Sequence, residues 1–247
     1  MLFLENSVWI FIVVLPLVAF MYAAIGHGGA SGYLALMALF SFAPELMKPT
    51  ALLLNLFVSG ISFYHFWKNG YFKHTLFLAF AIGSIPLAFL GGCFEIDASL
   101  YKIILGILLV FALLKMMNLI RKEPQTIKPV NIPLALLIGA CIGFFSGLIG
   151  IGGGVLLSPV IILLSWGKMK EAAAVSALFI WVNSAAGIVG QYSHKVQFNE
   201  HIWIFIIVAL IGGYFGAYIG SKHLNNKSLR ILLGFVLLLA SIKLFVF

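Results

Sequence analysis

The chain has 247 residues, of which 63% are hydrophobic and only 9% charged, with a formal net charge of +8. Its mean hydropathy of +1.14 and several apolar runs long enough to cross ~30 Å of hydrocarbon exclude a soluble domain and indicate an all-α integral membrane protein. The basic excess fits loops that meet anionic lipid and gives no reason to invoke nucleic acid.

In chain order the apolar segments fall at about residues 8–25, 30–43, 49–66, 74–92, 100–119, 132–149, 155–165, 171–192, 201–221 and 229–246. No basic region precedes the first one, and no small-residue cleavage site follows it, so it is expected to stay in the protein. The second and seventh segments are short, since 14 residues of helix reach only ~21 Å. Each follows a glycine-rich break: Gly26, His27, Gly28 and Gly29 in one case, Gly150 to Gly154 with Ile151 in the other. Glycine interrupts a helix through its backbone entropy and lack of a Cβ. In a bilayer such an interruption survives only where protein or a water-filled cavity satisfies the freed backbone groups. Matching breaks in two halves point to a transporter's binding site.

The chain repeats itself. Residues 81–91 (AIGSIPLAFLG) lie over 210–220 (LIGGYFGAYIG), and 105–112 (LGILLVFA) over 233–240 (LGFVLLLA). The breaks align at nearly the same offset. The expected organisation is a first membrane repeat at 1–120, a cytoplasmic linker at 121–131 and a second membrane repeat at 132–247. Proline-bearing polar residues fill the linker. Pro86 and Pro159 are expected to kink or end their helices.

Charge sets the orientation. If each half has five segments, eleven of the 15 Lys and Arg share one side, leaving Lys48, Lys102, Lys195 and Lys243 on the other with Glu5, Glu45, Glu95, Asp97 and Glu200. The lysine-rich side is then cytoplasmic. An odd segment number makes the second repeat inverted, and both termini extracytoplasmic. The expected location is a multi-pass position in the cell's inner membrane.

No Asp or Glu lies near the middle of any segment, and no motif for a metalloprotease, a membrane aspartate pair or a nucleotide loop is present. Neither an enzyme nor a cofactor or metal site is therefore expected. Cys93 and Cys141 read as packing residues. His27, inside the first break, reads either as a proton carrier and substrate donor or as a structural histidine on a freed carbonyl; the second repeat has Ile151 there. His65 is expected to be interfacial.

After each break a helix restarts with unpaired amides and the positive end of its dipole, which suits an anion. Gly28, Gly29, Gly152, Gly153 and Gly154 allow close approach of a ligand, and Ser31 adds a hydroxyl. Three consecutive glycines fit one-faced helix packing poorly, whereas Gly83, Gly91, Gly212, Gly216 and Gly220 fit it well. Asn55 and Ser59 in one half, and Asn183 and Ser184 in the other, either line a polar cavity or bond between helices. The candidate substrate site is thus Gly26, His27, Gly28, Gly29, Ser31, Asn55, Ser59, Gly150, Gly152, Gly153, Gly154, Asn183 and Ser184, with His27 as the proton-coupling group.

Two stretches carry a family resemblance. Residues 148–159 (LIGIGGGVLLSP), followed by 172–179 (AAAVSALF), resemble the signature of the TauE/SafE sulfite exporters, also called 4-toluene sulfonate uptake permeases. Residues 23–31 (AAIGHGGAS) look like its first copy, departing from the pattern at His27, Ala30 and Ser31. The resemblance covers nearly the whole chain. It implies a permease for sulfur-containing anions such as sulfite or organosulfonates, often an exporter, without a nucleotide cofactor. A passive anion channel, and an intramembrane enzyme or chaperone without a transport cycle, are the alternatives. The partners expected are a small anionic substrate and the lipid bilayer, with homo-oligomerisation left open.

Overall fold

A computed structural model describes residues 2–118, 126–193 and 198–223, with Leu238 and Ile242 besides. The described residues form α1 (Leu2–Ala24), α2 (Ala30–Leu39), α3 (Pro44–Lys68), α4 (His74–Cys93), α5 (Ala98–Asn118), α6 (Ile132–Ile149), α7 (Gly154–Leu163), α8 (Met169–Gly190) and α9 (Ile202–Lys222). A short 3-10 turn, Gln191–Ser193, follows α8. Apart from Leu238 and Ile242, the expected tenth segment (229–246) and the repeat match at 233–240 lie outside the described residues, as do linker residues 121–125.

Five of these helices, α3, α4, α6, α8 and α9, are long and apolar enough to cross a membrane. Their outer faces are apolar as well as exposed: Ile82 and Leu137 are both 63% accessible and Ile211 53%. In water such a surface would aggregate, whereas lipid is its natural solvent. The two short helices do the opposite. All residues of α2 from Ala30 to Ala38 are buried, so α2 lies inside the bundle, and α7 is buried along most of its length. Of the two expectations for Pro86 and Pro159, ending the helix does not hold: α4 and α7 run on past them.

The halves interlock rather than stand side by side. α1 packs along α9, and α4 along α6, so each pair joins the first helix of one half to the fourth of the other. Glycines make both contacts close. A Cβ on Gly212, Gly216 or Gly220 would overlap the carbonyl oxygens of Pro16, Phe20 and Ala24 in α1. On α6, Gly139, Gly143 and Gly147 meet the carbonyls of Phe80, Ser84 and Ala88 in the same way, and Gly83 and Gly91 of α4 meet those of Leu136 and Phe144. Backbones at this separation gain dispersion and weak Cα–H···O contacts where apolar lipid supplies no hydrophobic drive.

Between these pairs lie α3 and α8. The Gly187 Cβ position is 3.2 Å from the Leu52 side chain near the start of α3. At the other end Phe66 packs with Ala173 and Ala174. Contacts of the start of each helix with the end of the other make α3 and α8 antiparallel.

Gly216→Leu should push α9 off α1. Its cost is expected at the upper end of the ~1–3 kcal/mol of overpacking. A thermal unfolding curve of the purified variant in detergent would read it, and an unchanged midpoint would refute the close backbone contact.

Candidate functional site

The two breaks have matching backbones. α1 stops at Ala24 and the chain turns through Gly26 (φ +76°) and Gly29 (φ +102°); α6 stops at Ile149 and turns through Gly150 (φ +88°) and Gly153 (φ +78°). Side chains rarely adopt these left-handed angles, which is why glycine recurs at equivalent places. α2 and α7 then restart at Ala30 and Gly154. Their first amides have no partner within the helix.

The breaks meet. His27 spans them: its Nδ1 lies 2.9 Å from the Ile25 carbonyl of its own break and its Nε2 3.1 Å from the Gly154 carbonyl of the other. Two carbonyl oxygens face two ring nitrogens. A neutral ring can donate to one of them and a protonated ring to both.

Asn55 spans them as well. The Ala30 amide at the start of α2 donates to its Oδ1 at 3.0 Å. Its Nδ2 donates to Ser184 Oγ at 3.3 Å and, more distantly at 3.5 Å, to the Ile151 carbonyl. One fully buried amide on α3 thus joins the start of α2, the second break and α8.

Glycine lets these groups converge. A Cβ on Gly28 would strike Asn55 Oδ1 and come within 2.9 Å of Ile180 Cγ2; one on Gly152 would strike Asn55 Nδ2 and also come within 2.9 Å of Ile180 Cγ2. A Cβ on Gly154 would overlap the Ile180 side chain. Six of the sequence candidates therefore gather round one point: His27, Gly28, Asn55, Gly152, Gly154 and Ser184.

The others sit around that point or away from it. Gly26 faces Ala173, and Gly150 faces Lys48, whose carbonyl lies 3.0 Å from the Cβ position. Gly29 packs on Tyr33, and Gly153 on Ile142 and Phe179. Ser31 Oγ donates to the Tyr22 hydroxyl at 2.8 Å. Asn183 takes the interhelical role: its Oδ1 accepts from Ser84 of α4 and its Nδ2 donates to the Phe179 carbonyl at 2.8 Å. Ser59 Oγ is fully buried with no hydrogen-bond partner. His65, expected at the interface, is only 8% exposed and lies among the rings of Tyr64, Tyr214 and Tyr218.

Sequence reasoning missed Ile180, Tyr33 and Tyr101. The Tyr33 hydroxyl donates to the Gly28 carbonyl at 2.8 Å, and the Tyr101 hydroxyl to the Ile149 carbonyl at 3.1 Å. Both cover carbonyls freed by a break. Ile180 was legible, because the Ser59 to Ser184 offset carries Asn55 onto Ile180. That substitution also accounts for the lone Ser59 hydroxyl. Ser184 receives the Asn55 amide, while the position that would serve Ser59 is an isoleucine.

Comparisons with known proteins lead to membrane transporters. The chain is 39% identical over 231 residues to "Probable membrane transporter protein y4hK" of Sinorhizobium fredii, covering 92% of this chain and 94% of that protein. It is 25% identical to "Probable membrane transporter protein YunE" of Bacillus subtilis, over 81% of each. A weaker likeness, 27% identity over 58% of this chain and 56% of the other, links it to "Probable membrane transporter protein MJ0441" of Methanocaldococcus jannaschii. No solved structure matches. The family model "Sulfite exporter TauE/SafE" matches residues 10–244, and with that span and these relatives the chain belongs to the TauE/SafE family of membrane transporters.

Proposed function

We propose that the protein is a secondary transporter that exports a small sulfur-containing oxyanion, bound where the two breaks meet. The observation that carries this reading is the Asn55 bridge. Its Oδ1 takes the Ala30 amide at the start of α2, the kind of donor that receives an oxyanion at a helix N-terminus. The amide oxygen occupies the position of an anion oxygen, and substrate would displace it. The start of α7 supplies a second set of amides, and His27 ties together the two breaks that carry them.

The halves are read as inverted repeats that rock about this point. Within the site they are unequal. The first half contributes His27 and Asn55; the second contributes Ile180, against which Gly28, Gly152 and Gly154 all pack. A polar wall opposite an apolar one suits an anion with an organic substituent. That favours an organosulfonate over sulfite as the preferred substrate.

Thermal stabilisation tests this directly, since a ligand bound only to the folded state raises the unfolding midpoint. The purified protein should be stabilised by a short-chain alkyl- or arylsulfonate more than by sulfite at equal concentration. Asn55→Asp, which places a negative charge at the anion's position, should abolish the shift. No shift with any oxyanion in the wild type would overturn the site.

His27 is the group placed to carry a coupled proton, with two carbonyls ready to receive a doubly protonated ring. His27→Gln should keep the sulfonate-induced stabilisation and remove the pH dependence of transport between about pH 5 and 8, the window of an ordinary histidine. A variant with the wild-type pH profile would assign His27 to structure alone.

Both termini should be extracytoplasmic, on the division of eleven basic residues against four among the 15 Lys and Arg. Tags at each end should be reached by an impermeant reagent in sealed cells. Protection of either tag would reject the inverted arrangement.

A further inference from the structure

Two lysines make the same unusual contact at opposite ends of the bundle. Lys48, near the start of α3, donates from Nζ to the Gly92 carbonyl at 3.2 Å and to the Phe94 carbonyl at 3.3 Å. Lys170, at the start of α8, donates to the Ser221 carbonyl at 3.0 Å and to the Tyr71 hydroxyl at 3.3 Å, with its ammonium 5.0 Å from the Tyr71 ring centre. Gly92 and Ser221 are equivalent, since each directly follows the matched glycines Gly91 and Gly220. Each carbonyl belongs to the last turn of its helix, α4 or α9, where it has no partner within the helix.

A lysine that merely caps a helix end usually comes from that helix or its next turn. These come from a different helix, 44 and 51 residues away. In the alignment that pairs Ser59 with Ser184, Lys48 and Lys170 do not coincide; Lys170 falls on Glu45, three positions from Lys48. The same bond is therefore made from positions about one helical turn apart. Because α3 and α8 are antiparallel, the two ties are separated by most of the length of α3, ~30 Å.

Lys48 also borders an opening. A cavity of about 410 Å³ lies beside it, walled by Tyr101, Leu148, Gln191, Glu45, Glu95 and Asp97. Two of the residues that line it also touch the second break: Tyr101 bonds the Ile149 carbonyl, and the Lys48 backbone abuts Gly150. Three carboxylates share its wall with one ammonium, a poor balance for holding an anion. It suits a passage better than a binding site.

We propose that Lys48 and Lys170 are the two door latches of the transport cycle. Each is a positioning residue that ties the entrance of a central helix to the end of the following helix of its own half, one at each membrane face. Opening a face requires breaking its latch while the other holds. The cavity beside Lys48 is the vestibule behind the outer door. This inference rests on the transporter reading, and its test does not depend on the substrate.

The native Cys93 sits between the two carbonyls that Lys48 ties and reports on the outer door. In a Cys141→Ser background, an impermeant maleimide is applied to sealed cells and to inside-out vesicles. Lys48→Met should raise the Cys93 labelling rate about fivefold, roughly the effect of one net hydrogen bond on a two-state balance, and Lys170→Met should lower it. Ser221→Cys, in a background without the native cysteines, should respond in the opposite sense from the other face. Lys48→Arg and Lys170→Arg should restore the wild-type rates. If Lys48→Met does not fold, Lys48→Gln gives the same readout. Changes of the same sign at both reporters, or none at either, would overturn the latches as merely structural ties. A protein with opposed labelling but no oxyanion-induced stabilisation would keep the latches and refute the proposed substrate site.

Discussion

The fold depends on one constraint: two helices are broken in apolar surroundings, and every backbone group freed there must be satisfied by protein. An unpaired amide or carbonyl in such a place costs several kcal/mol. The partners come from far along the chain. Tyr101 covers the Ile149 carbonyl, His27 reaches the Gly154 carbonyl, and Asn55 takes the Ala30 amide while pointing its own donors at Ser184 and Ile151. Sequence separations of 48, 127 and 129 residues are closed by these contacts. The dependence is one-sided: the second break takes Tyr101, His27 and Asn55 from the first half, whereas the first break is covered by His27, Tyr33 and Asn55 of its own half.

The glycine-lined pairs supply the frame that makes this possible. α1 on α9 and α4 on α6 are locked at backbone distance by small residues, and such contacts have few alternative packings. The helices between them differ in kind. α3 and α8 meet each other through larger side chains and the Asn55–Ser184 bond; Asn55 looks at the breaks, while the amide of α8, Asn183, turns to Ser84 of α4. A frame that is hard to deform around a centre held by a few exchangeable hydrogen bonds is a physical arrangement in which a ligand can shift the balance between two packings. Displacing one amide–amide bond at Asn55 changes the contacts of α2, α3 and the second break together.

Much of this was legible in the sequence, and the limits were physical. The breaks, the two short buried helices and the packing glycines follow from composition and spacing alone, because glycine runs and segment lengths act locally. The convergence of the breaks was legible as an expectation from the duplication. The identity of the groups that satisfy them was not. Nothing local distinguishes Asn55, which bridges the breaks, from Asn183, which ties α8 to Ser84 of α4. The difference lies in which face of each helix meets which neighbour. The partner of Ser31 was hidden for the same reason: its hydroxyl donates to Tyr22 one helix back. His65 reads as interfacial from its place near a helix end; the tyrosines of α3 and α9 that surround it there could not be read from the sequence.

The departures from internal symmetry are more informative than the symmetry. A perfectly duplicated site would place an amide on both central helices and a histidine in both breaks. Here the first half keeps both polar groups and the second has Ile180 and Ile151. The asymmetry has a cost. A buried hydroxyl, Ser59, is left without a partner, at a cost of ~1–3 kcal/mol. Folding stability alone would favour an amide at 180. The isoleucine instead packs against Gly28, Gly152 and Gly154, glycines of both breaks. The proposed site therefore has one hydrogen-bonding wall, at His27 and Asn55, and one of hydrocarbon, at Ile180.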